Sequence, residues 1–152
     1  MRNSSIAKHL KEVFIGGNWT SVNLKDTLID VNIQKANSKV GNLHSIAELV
    51  FHIDYFVKAI ICVLKSNTLN AHDKFSFDLP AITSEPEWKD FIDVVISDAL
   101  ECSNLIESIT DERLDDIFVD IKYGTYERNL LGVIEHTHYH LGQIVILKKM
   151  LS

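Results

Sequence analysis

The sequence predicts an all-α protein, a four-helix bundle formed as a single domain over residues 1–152, and three observations predict it. Apolar residues recur at helical spacing in four segments long enough to be bundle helices. Two Ser-x-x-Glu spacings, Ser45 to Glu48 and Ser84 to Glu87, stand at the start of two of them as capping boxes. No comparable segment shows the strict alternation that a half-buried strand requires.

Ile6, Leu10, Val13 and Phe14 place a first helix over Ser4 to Ile15, ended by Gly16-Gly17 because glycine readily takes the left-handed conformation after a helix. Residues 18–42 mix Leu24, Leu28, Ile29 and Val31 with polar residues, which suggests one short extra helix in a long connection. The second helix carries ELVFHIDYFVKAIICVLK, over about 46–65. From Ser66 to Thr83 the pattern lapses into Asn, Asp, Ser and Pro, a crossover long enough to traverse the end of a bundle and leave the second and third helices parallel. Pro86 falls in the first turn of the third helix, where its missing N–H costs nothing, and Trp88, Phe91, Val94, Val95, Leu100 and Ile106 give that helix its stripe. Residues 110–124 read as a connection with a short turn at Asp111-Glu112-Arg113-Leu114. Thr125 caps the fourth helix, which ends with Lys148 and Lys149 where positive charge suits the dipole.

With 152 residues, 46% of them hydrophobic, the chain can build one core of ordinary size but not two. Its 21 acidic against 15 basic residues give a formal charge of −6, which disfavours nucleic acid and anionic lipid as partners. The N-terminus has no apolar run of signal-peptide length, so a cytoplasmic location is expected. The longest apolar stretch, Val57 to Leu64, is broken by Lys58 and is far short of the roughly 20 residues of a membrane span. Cys62 and Cys102 sit in apolar helical patterns without Cys-x-x-Cys spacing, as buried reduced thiols do.

The histidines carry the chemical signal. His136 and His140 lie four apart and share one helix face, while His138 points about the opposite way. Their neighbours on that face, Val133, Thr137, Ile144 and Leu147, turn it into the bundle. Such a pair can converge on one ion with metal–nitrogen distances of about 2.0–2.1 Å. His52, beside Leu49, Phe56 and Ala59 on the apolar face of the second helix, is a third candidate ligand, since bundles build metal sites from facing helices. Each part alone has a plainer reading: a single histidine on an apolar face is more often a hydrogen-bonded core residue, and His-x-x-x-His is common by chance. His9, His44, His72 and His138 read as surface or loop residues.

Rival motifs are missing. The six glycines form no phosphate-binding pattern, and there is no nucleophile elbow. In a zinc protease a Glu follows the first His of the pair, but Thr137 holds that place here.

The C-terminal GVIEHTHYHLGQIVILKK resembles the HxxxHxGQI signature of the DinB/YfiT-like superfamily, in its YHxGQI branch. HSIAELVFHIDYFVKAI resembles that family's second-helix motif. Weaker likenesses lie at Asn18-Trp19, Glu87-Trp88 and Thr110 to Leu114, so the resemblance covers most of the chain in order. It implies a four-helix bundle, commonly a homodimer, with metal ligands carried over to His52, His136 and His140 and the family's GQ to Gly142-Gln143. Leu141 departs from the pattern, since many relatives have a basic residue there. That departure puts in doubt any role borrowed for that charge in binding an anionic substrate.

The resemblance further implies a metal-dependent enzyme acting on a small-molecule substrate. A site with three neutral ligands keeps a coordination position open, so it can activate a low-molecular-weight thiol for S-transfer, or water for hydrolysis. Transfer is the favoured expectation. The alternative is a non-catalytic, metal-stabilised bundle that binds a small ligand or partner protein. Imidazole does not select one metal; zinc or nickel is expected first, then iron or manganese. Glu48 could orient a ligand or relay a proton, but its capping-box role competes. Tyr139 and Gln143 could reach the pocket edge, although their helical phase does not decide it.

Overall fold

A computed structural model describes residues 1–152 and is all-helical, without strands. The long helices are α1 (Arg2–Ile15), α4 (Ile46–Ser66), α5 (Glu85–Ser108) and α6 (Tyr126–Met150), with short α2 (Leu24–Leu28) and α3 (Ile33–Asn37) between the first two. Side-chain contacts fix their directions. Asp54 and Lys58 meet Asp98, and Lys65 meets Glu101, so α4 and α5 run parallel, as the long crossover predicts. The Ser103 hydroxyl donates to the Ala7 carbonyl and the Asn3 amide to that of Glu107, which makes α1 antiparallel to α5. Tyr126 bonds to Asn67 at one end while His136 reaches His52 further along, so α6 runs against α4.

Local differences from expectation have identifiable causes. α1 starts at Arg2 because the Asp111 carboxylate, from the distant connection before α6, accepts the first two helical N–H groups at 3.0 Å each. A cap supplied from more than 100 residues away leaves no local signal. Gly16 and Gly17 do end α1 at positive φ, 111° and 99°, but Gly16 has ψ 164°, so the chain leaves extended rather than in the left-handed helical conformation. The first connection holds two short helices rather than one. Each is capped by an Asn, with Asn23 accepting from the Asp26 N–H and Asn32 from that of Lys35, both at 2.9 Å.

Both predicted capping boxes form, at Ser45/Glu48 and Ser84/Glu87. Trp88 is fully buried and its indole N–H donates to the Val31 carbonyl at 2.7 Å, tying the first connection to α5. Lys148 lies in the last turn of α6 and also bonds the Thr27 carbonyl at 2.9 Å, which pins α2. The core is continuous across all four long helices, from Leu10 and Phe14 through Ile53 and Ile106 to Leu130 and Ile144. Leu130 and Ile144 bracket the histidines of α6, and each fully buried side chain stabilises by roughly 1.5–3 kcal/mol. The histidines are therefore mounted on rigid helix rather than on loops. No helix is long and apolar enough to cross a membrane.

Candidate metal centre

Antiparallel packing of α4 on α6 brings His52 against His136 and His140. Ring centroids are 4.8 Å apart for His52 and His136, 4.6 Å for His52 and His140, and 4.4 Å for the α6 pair. One ring nitrogen from each lies within 4.8 Å of the others. His52 and His140 are each 8% exposed, and His136 is half-buried. The structure thus assembles the three sequence-predicted candidates into one cluster.

Their outward nitrogens show how the rings are held. The His52 Nδ1 lies 3.3 Å from the Ser76 carbonyl, and the His140 Nδ1 lies 2.6 Å from the Gln143 side-chain oxygen. Both acceptors require a proton on Nδ1, which leaves Nε2 as a bare lone pair; this tautomer is assigned from the hydrogen-bond network. The His136 Nε2 lies 3.0 Å from the His52 Nε2, and its buried Nδ1 has no partner.

These donors fit a divalent ion. Two nitrogens bound tetrahedrally at about 2.0–2.1 Å lie about 3.3 Å apart, near the 3.0 Å seen between His52 and His136. The ring nitrogens lie up to 4.8 Å apart, so the widest pair must close by up to about 1.5 Å on loading. Carbonyl or amide oxygens behind ring nitrogens are the usual outer support of histidine ligands. Burial first, then repulsion from the neighbouring rings, pushes both His52 and His136 down to about 4. Burial also lowers His140, against the opposing pull of Gln143. All three are therefore neutral at pH 7, the form that binds metal.

Phe77 completes the mounting. It lies parallel to His52, with centroids 3.9 Å apart, and parallel to His44 at 3.8 Å, so it is sandwiched between two imidazoles. Phe56 meets His52 and His136 edge-on. Ser76, Phe77 and His44 escaped the sequence reading. The first two lie in the crossover, where periodicity carries no information, and His44 precedes the cap of α4 as an apparent loop residue.

Gln143 faces the site as the support for His140. Tyr139 touches the His140 ring edge but is 65% exposed. Glu48 serves the capping box and pairs with Lys39 and His44, outside the three-histidine group. His138 points away, with burial and then His9 lowering its pKa. Cys102 is buried, which pushes its thiol up to about 12, whereas Cys62 is only partly buried, and neither belongs to the cluster.

A cavity of about 720 Å³ opens beside the cluster, with His136 in its wall. Phe56, Ile60 and Val133 supply apolar lining, and Lys122 and Arg128 bring positive charge. Three neutral imidazoles beside an accessible cavity can hold a cation and leave it a face for a small molecule. Comparison of the chain with family models, curated proteins and solved structures finds no match.

Proposed function

We propose that this protein is a metal-dependent enzyme of the DinB/YfiT-like type, in which His52, His136 and His140 hold one divalent ion that activates a small thiol for transfer. The observation that carries the reading is the convergence of three neutral imidazoles, with no Cys, Asp or Glu in the group, at the wall of a cavity large enough for a substrate. A divalent ion at such a centre lowers the pKa of a bound thiol or water toward neutrality. The protein's own part is to keep the rings deprotonated, aim them through Ser76 and Gln143, and shield them with Phe56 and Phe77. Zinc or nickel suits this donor set, ahead of iron or manganese.

Hydrolysis through activated water uses the same centre and stands as the runner-up. The sequence resemblance also supports a homodimer. A purely structural ion is less favoured, because structural zinc takes four protein ligands and this group offers three. The discriminating assay incubates zinc- or nickel-loaded protein with a panel of low-molecular-weight thiols and an electrophilic acceptor. Thiol consumption that depends on metal and is lost in His136→Ala is the expected result. Ester cleavage without thiol consumption would replace transfer by hydrolysis.

A further inference from the structure

The cavity beside His136 has an internal polarity that the metal centre does not explain. Arg128, Gly132 and His136 are spaced four apart, so they form one line along α6, two helical turns or about 12 Å from end to end. All three line the cavity. Gly132 leaves the middle of that line without a side chain: a Cβ there would lie 3.3 Å from the Arg128 Nη1. The guanidinium is thus folded along α6 toward the histidines, where it meets Glu135 at 3.4 Å.

Lys122 joins Arg128 in the cavity lining, and the loop that carries it is fixed. The Asn129 side-chain amide donates to the Tyr123 carbonyl at 2.9 Å and to the Thr125 carbonyl at 2.8 Å, holding the loop to the first turn of α6. Between these cations and His136 the lining is apolar, through Phe56, Ile60 and Val133. Asp73 and His72 also line the cavity. Both cations already have a carboxylate beside them, Glu135 for Arg128 and Asp120 for Lys122, but the two pairs are exposed and oppose an incoming anion only weakly. In a chain of net charge −6, two cations against the one carboxylate of Asp73 leave the lining of this cavity with a positive balance.

We infer that this cavity binds a mostly apolar monocarboxylate, with its carboxylate at Arg128 and Lys122 and its apolar end toward His136. Arg128 offers the planar fork that matches a carboxylate, and Gly132 leaves that fork room to lie along α6. The inference rests on the proposed metal centre for its consequence, which is that the reacting substrate carries its negative charge near Gly132, about one helical turn from the reacting atom. The binding site itself stands on the cavity alone.

The test titrates octanoate, octan-1-ol and octylammonium into the full chain by calorimetry, with and without zinc. Octanoate is expected to bind at least about tenfold tighter than octanol, and octylammonium weakest. The advantage of octanoate should vanish in the Lys122→Gln/Arg128→Gln double variant while octanol binding is kept. Gly132→Leu should weaken both ligands while raising the melting temperature, because leucine favours a helix over glycine. That opposite movement separates a filled cavity from a damaged fold. Equal binding of octanoate and octanol, or an octanoate advantage that survives loss of both cations, overturns the inference. Zinc uptake is read in parallel: octanoate preference without zinc uptake removes the metal proposal and keeps the cavity, and the converse removes only the cavity proposal.

Discussion

Two polar clusters are buried on α4 within three residues of each other, and they answer the cost of burial in opposite ways. His52 faces α6 and Asp54, two positions on and so nearly opposite around the helix, faces α5. The Asp54 carboxylate meets the Lys58 ammonium at 2.6 Å, and that ammonium also reaches Asp98 at 3.3 Å. Burial, with Asp98 adding to it, holds the Asp54 carboxyl above the ordinary carboxylate range despite Lys58. This cluster contains its own cation. The histidine cluster gathers three neutral bases with no cation among them, and two Nε2 atoms face each other at 3.0 Å. Polar atoms without a hydrogen-bond partner are buried in both, Asp54 Oδ1 and Asp98 Oδ2 in the first and His136 Nδ1 in the second. Burial without a partner costs free energy, and the Lys58 ammonium answers that cost in the first cluster, whereas the second has no cation of its own and calls for an ion from outside.

Changing one cluster at a time breaks this contrast in measurable ways. The largest effect is expected from His52→Ala, which should lower zinc affinity by more than about 100-fold, beyond the range typical of supporting residues. Asp54→Asn, two residues away, should leave zinc affinity unchanged; competition with a chelating indicator reads both. Gln143→Leu removes the acceptor that orients His140 and should cost about 10–100-fold in the same assay. Lys58→Met strips the other cluster of its cation. Because that ammonium is half-exposed and Asp54 can take up a proton, the loss should be only about 1–2 kcal/mol in urea unfolding, with zinc affinity intact.

The smallest effect is one of pH, and the two clusters give it opposite signs. In the metal-free protein the folded state keeps His52 and His136 neutral down to about 4, while in the unfolded chain they bind protons near 6.5. Their share of stability therefore falls as pH drops from 6.5 toward 4. Asp54, raised above its unfolded value of 3.8, binds its proton more tightly when folded, so its share falls as pH rises above that value. Removing Asp54 as Asn should steepen the loss of stability on acidification between pH 6.5 and 4. Melting curves across that interval check it, and a shallower slope would mean that Asp54 does not oppose the histidines.

The same contrast marks how far the sequence could be read. Four helices, both capping boxes and the shared face of His136 and His140 are local in sequence, so periodicity and spacing reveal them. His52 needed its whole helix compared with a family pattern, because nothing in α4 alone says which residue of α6 it meets. Ser76 and Phe77 were illegible, since a crossover has no period and its contacts are set only when the bundle closes. The Asp54–Lys58 pair is four apart and visible in principle, whereas Asp98 becomes its third member only through the parallel packing of α5. Asp111 capping α1 is the same limitation at longer range.

X-ray absorption at the zinc edge of the loaded protein tests the central claim most directly. One ion per chain, with three imidazole nitrogens at about 2.0–2.1 Å and a remaining position held by an exchangeable light atom, is the predicted result. Loss of that signature in His52→Ala, with its retention in Asp54→Asn, completes the prediction. A sulfur ligand, a fourth protein ligand, or zinc bound equally well without His52 would contradict it.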